Sequence, residues 1–107
     1  MVDLNQVSTK SMKIRNAYHN LEEKYHGRKW TVLEDGLALS TDVGLINRLL
    51  MDQAKIWPDK LQDNYNLEYK LGEVVWWLAV ISEKNNINLN EAVENFINKK
   101  YTDFDIK

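Results

Sequence analysis

Asp42 and Glu73 are the residues whose surroundings most plainly call for a partner. Asp42 is flanked by Leu39, Val43 and Ile46, and Glu73 directly precedes the apolar block Val74-Val75-Trp76-Trp77-Leu78-Ala79-Val80-Ile81. A carboxylate at the border of such a face has to be hydrogen-bonded, paired or shifted in pKa, because burying it alone costs several kcal/mol. Lys70 lies three residues before Glu73, within ion-pair reach along one helix face. A cap, a lysine pair or a place at the rim of the core would account for either acid with no chemical role. Asp35, seven residues before Asp42, shares its helix face, whereas Asp52 and Glu68 fall outside the expected faces.

Other chemistries find less support. His19 and His26 are seven apart, but Gly27 follows, so His26 is expected in a frayed end and both rings in solvent. Cysteine is absent, which removes disulfides, thiolate metal sites and a cysteine nucleophile. No Ser–His–Asp grouping, glycine-rich phosphate loop or His-Glu-x-x-His motif occurs. Trp76 and Trp77 are adjacent and point about 100° apart on a helix. One is expected to pack internally and the other to meet a second subunit or to stack on a base.

The elements that must position these residues are helices. With one proline and four glycines in 107 residues, the chain lacks the turn residues of an all-β fold. Four segments are predicted. The first runs from Leu4 to Tyr25, with Met12, Ile14, Tyr18, Leu21 and Tyr25 as its apolar stripe and Gly27 as its stop. After a loop, Trp30, Val32 and Leu33 approach the core. The second runs from Asp35 to Lys55, with Leu39, Val43, Ile46, Leu49 and Leu50 on one face and Gly44 at a close helix crossing. Pro58 marks a break. The third runs from Asn64 to Lys84, apolar almost all round and so a central helix or a subunit interface. A capping box from Asn88 to Glu91 opens the fourth, whose buried face is Ala92, Val93, Phe96 and Ile97. The tail 101–107 is expected to be extended.

Hydrophobic residues make up 44% and charged residues 28%, the composition of one globular domain spanning 1–107. Fourteen basic against sixteen acidic side chains give a net charge of −2, which disfavours nucleic acid as a partner. No apolar run reaches membrane-spanning length, and Met1 to Lys10 carries no signal core, so a cytoplasmic place is expected.

From Leu37 to Tyr101, roughly three-fifths of the chain, the sequence resembles the MazG-like branch of the all-α nucleoside triphosphate pyrophosphohydrolases. The resemblance rests on Asp42-Val43-Gly44-Leu45-Ile46, on Lys70-Leu71-Gly72-Glu73-Val74-Val75-Trp76-Trp77-Leu78-Ala79, and on Asn86-Ile87-Asn88-Leu89-Asn90-Glu91-Ala92. In that family one helix carries Glu-x-x-Glu and a later one Glu-x-x-Asp. The resemblance implies a bundle in which carboxylates on two antiparallel helices hold Mg²⁺, or Mn²⁺ in its place. The metal then activates water as the α–β phosphate bond breaks, giving a nucleoside monophosphate and pyrophosphate. Asp42 and Glu73 are the metal ligands so implied, and Lys99, late on the last helix, falls where a phosphate is met.

Leu45 stands in place of the second acid and Lys70 in place of the third. Leucine offers magnesium no oxygen, and an ammonium repels a divalent ion. Lys70 would either pair with Glu73 or take the metal's place against a phosphate. The reading placed first is therefore a MazG-like protein with an altered metal site, binding a nucleotide or a protein partner with weak or no turnover. The alternatives are an active Mg²⁺-dependent pyrophosphohydrolase and a pure interaction module. A homodimer or homotetramer joined through apolar helix faces is expected.

Overall fold

A computed structural model of the chain describes residues 3–56 and 66–107. It is all-α, with α1 Leu4–His26, α2 Val32–Gln53, α3 Leu67–Lys84 and α4 Leu89–Asp103. No helix is long and apolar enough to cross a membrane among these residues. The break expected around Pro58 lies outside the described residues.

The helix ends follow local chemistry. Asp3 caps α1, its carboxylate accepting from the backbone N–H of Asn5 and Gln6, and Gly27 closes the helix with φ +79°, a conformation that glycine adopts without strain. His26 is thus the last helical residue rather than part of a loop. α2 begins three residues before the expected Asp35. Thr31 and Glu34 form a reciprocal capping box, and Arg28 grips Glu34 at 2.7 and 2.9 Å. Asn66 caps α3 through the N–H of Tyr69. Asn88 accepts from Glu91 N–H, and its amide also donates to Asn5, while Asn90 accepts from Leu4 N–H. These last bonds tie the start of α1 to the start of α4. The tail is not extended throughout, because α4 carries Tyr101 to Asp103 as helix.

α3 is the central element, packing on α1, α2 and α4. Asp35 meets Lys84 and Asp42 meets Lys70, so α2 and α3 run antiparallel. Among the described residues the buried apolar side chains are Leu49, Trp77, Ala79 and Val80. The buried polar ones are more numerous: Ser8, Ser11, Arg15, His19, Asp35, Asp42 and Lys70.

This inverts two expectations. The apolar stripe of α1 is outside, with Ile14, Tyr18, Leu21 and Tyr25 about half exposed or more, while Ser8, Ser11, Arg15 and His19 face inward. α4 buries none of its residues, and Phe96 and Ile97 are exposed. Gly44 is not at a close crossing either, since a Cβ built there meets nothing within 4 Å. Leu71, Val75 and Leu78 form a further exposed stripe along α3. The molecule measures 52 × 41 × 21 Å. Its thinnest dimension is about two helix diameters.

Candidate functional site

Helix α2 brings two carboxylates inward two turns apart, and each organises a separate ion network. At Asp42, Oδ1 accepts from Lys70 Nζ at 3.2 Å and Oδ2 accepts from the Trp77 indole N–H at 2.8 Å. Lys70 Nζ also donates to Glu73 Oε1 at 2.8 Å. The Lys70 ammonium therefore lies between the acids of two helices, at the foot of α3 where the helix first enters the core. Burial opposes its charge, but the hydrogen bonds it donates to Glu73 and Asp42 outweigh that and raise its pKa above the usual lysine value.

The second network is more deeply buried. Asp35 is fully buried; its Oδ1 accepts from Arg15 Nε at 3.2 Å and Nη2 at 2.8 Å, and its Oδ2 accepts from Lys84 Nζ. The remaining arm of Arg15 donates to Glu22 Oε2 at 2.7 Å. Glu22 Oε1 lies 2.8 Å from His19 Nδ1 and accepts from the backbone N–H of Trp30 at 2.7 Å. Burial disfavours the Glu22 carboxylate, yet the bonds from Trp30, Arg15 and His19 prevail and hold its pKa down to about 2. The Arg15 guanidinium lies over two rings, 5.4 Å from Trp77 and 5.6 Å from Trp30. Trp77 thus touches both networks, its N–H serving Asp42 and its π face Arg15. Among the described residues no buried side-chain nitrogen or oxygen lacks a partner.

Asp42 and Glu73 do converge, joined through Lys70. Leu45, on the same helix as Asp42, adds no oxygen. Among the described residues no group of three or more His, Cys, Asp or Glu side chains is placed to share a metal ion. Both oxygens of Asp42 already accept hydrogen bonds, and an ammonium occupies the gap to Glu73. That donor set suits a monovalent nitrogen cation supplied by the chain itself and fits poorly with Mg²⁺, which needs several oxygen ligands in an octahedron.

Lys99 is exposed on α4 and donates to Asp103 at 2.9 Å. His19 is not in solvent but buried against Glu22, whereas His26 is exposed. Trp77 packs internally as one of the pair must. Trp76 donates to the backbone carbonyl of Ser11 at 3.3 Å and borders an open groove with Tyr18, its ring 5.9 Å from the tyrosine.

Arg15, Glu22 and Lys84 were not singled out from the sequence. A signal existed in part. Arg15, His19 and Glu22 recur at helical spacing four and three apart, a polar stripe beside the apolar one. Asp35, Asp42 and Leu49 recur every seven residues, and all three are buried.

Comparison with known proteins adds no relative: no family model, no curated protein and no solved structure matches the chain.

Proposed function

We propose that this chain is a MazG-like protein whose metal site has been closed by an internal ammonium. It works in the cytoplasm as a homo-oligomeric binding protein without metal-dependent turnover. The observation that carries this reading is the Lys70 ammonium between Asp42 and Glu73. Chemistry of the pyrophosphohydrolase kind needs a strong positive charge that can also hold and acidify a water. An ammonium supplies charge but coordinates no hydroxide, and here its protons are directed at carboxylates.

Of the two ligand classes, a protein partner is better supported than a nucleotide. Lys70 and Lys99, the cations assigned to phosphate, each already donate to carboxylates. The first protein partner is a second copy. A compact monomer of 12.6 kDa would expose about 6,200 Å² by the general scaling of surface with mass, whereas this chain exposes 8048 Å². The radius of gyration is 16.7 Å, against about 13 Å for a compact domain of this length. The excess surface, on the order of 1,800 Å², is enough for a stable protein interface. Leu71, Val75 and Leu78 on α3, spaced four and three apart, and Ile97 and Tyr101 on α4 with Phe104 at its C-cap are stripes suited to it.

Pyrophosphate release from a panel of canonical and damaged nucleoside triphosphates, with Mg²⁺ and with Mn²⁺, tests the reading. No release is expected, from protein that sizing and light scattering find as a dimer or tetramer. Release that disappears in Glu73→Ala would overturn it in favour of the enzyme.

A further inference from the structure

The groove between α1 and the first turns of α3 borders the Lys70 network only at Glu73, and its aromatic wall takes no part in that network's ion pairs. Its volume is about 620 Å³, and its walls include Ile14, Tyr18, Tyr69 and Trp76, with Glu68 and Glu73 beside them. Concave sites of a few hundred Å³ with mostly aromatic walls are typical of small-molecule recognition. Tyr18 and Trp76 meet edge to face, tilted at 58° with centroids 5.9 Å apart, and so form one aromatic wall. Tyr69 is two-thirds exposed.

Among the described residues the charges on the wall are of one sign. Glu68 and Glu73 are acidic, and no lysine or arginine is among the lining residues described. Glu68 forms no ion pair among the described residues. Glu73 gives Oε1 to Lys70, but Lys70 is shared with Asp42, so two carboxylates face one ammonium and negative charge remains. A polyphosphate entering here meets like charge. A cation meets carboxylates and the negative faces of aromatic rings, which attract it together.

We propose that this groove binds an organic cation, an alkylated ammonium whose apolar body fills the space between Tyr18, Tyr69 and Trp76. The proposal stands apart from the closed-site reading, because the aromatic walls and Glu68 carry it and the residual charge at Glu73 only adds to it. Tyr69 and Glu68 supply selectivity from exposed positions, so changing them leaves the fold intact.

The test is titration of the full chain with choline, followed through the Trp76 indole resonance in ¹H–¹⁵N spectra. The control is 3,3-dimethylbutan-1-ol, which has the same shape without the charge. Choline should give a saturable shift and the neutral alcohol should bind roughly tenfold more weakly. Glu68→Gln and Tyr69→Leu should each weaken choline binding by about three- to tenfold, with helical content and oligomer size unchanged. No saturable shift with choline, or equal affinity for the alcohol, would overturn the proposal. So would ATP binding that is lost in Tyr69→Leu, which would make the groove a base pocket. Indole shifts that track protein dilution without any ligand would instead make it a contact between copies, and would also overturn it.

Discussion

Asp35 and Asp42 lie seven residues apart on one face of α2, with the same side chain and almost the same burial, yet their surroundings give them different roles. Asp35 is enclosed by Arg15 from α1 and Lys84 from the end of α3, so it pins three helices together and touches no open space. Asp42 is held by Lys70 and Trp77, and through Lys70 it communicates with Glu73, which borders the groove. Around Asp35, the cations Arg15 and Lys84 meet two acids, Asp35 and Glu22; around Lys70, among the described residues, two acids meet one ammonium. Matched charges lock Asp35 inside the fold, whereas a surplus of carboxylates leaves negative charge for something outside. Residue type alone does not separate structural from available acids; the count of partners does.

The contrast can be broken most sharply at Asp35. Asp35→Ala strands the charges of Arg15 and Lys84, and removing one partner of a buried pair costs about 3–5 kcal/mol. Chemical denaturation should record that loss. Asp42→Ala should cost less, about 2–3 kcal/mol, because Lys70 keeps Glu73 and only the Trp77 N–H is left unpaired. Equal losses at the two positions would remove the distinction drawn between them.

Acid sharpens the same contrast. Glu22 ionises at about 2 in the folded chain against an ordinary 4.5, so its depressed pKa stabilises the fold fully above about 4.5. That contribution should fade as pH falls from 4.5 towards 2, and Glu22→Gln should flatten this acid limb in stability measured against pH. Lys70 behaves oppositely. Its pKa is raised, so its contribution is complete below the ordinary lysine value of 10.5 and is lost as pH rises through the raised one.

The smallest effect lies outside both networks. Gly44 is helical, exposed and uncrowded, so Gly44→Ala should stabilise by about 1 kcal/mol, seen as a higher Tm.

Much of the fold was readable from the sequence because its information is local. Gly27 as a stop and Asn88 before Glu91 act through their own backbone, whereas the antiparallel pairing of α2 with α3 was expected only from the resemblance. Lys70 and Glu73 were readable as a pair because three residues on a helix bring them together. The Arg15–Asp35 pair was not, because it joins residues twenty apart across two helices and no spacing rule reaches that far. The face of α1 was misread for a different reason. A stripe such as Ile14, Tyr18, Leu21 and Tyr25 shows that a helix has an apolar side, not that this side is the one that packs within the chain. In this chain those two sides differ, and the polar stripe of Arg15, His19 and Glu22 is the one that meets its neighbours.

Thermal unfolding of the wild-type chain and of Asp42→Ala, across a titration of Mg²⁺ and Mn²⁺, tests the closed carboxylate site most directly. With Lys70 already serving as the cation, the wild-type Tm should not move with millimolar divalent ion, and Asp42→Ala should lie lower by the same interval at every concentration. A wild-type Tm that climbs with the metal, as it must when a ligand binds only the folded state, and a climb that Asp42→Ala abolishes, would contradict it.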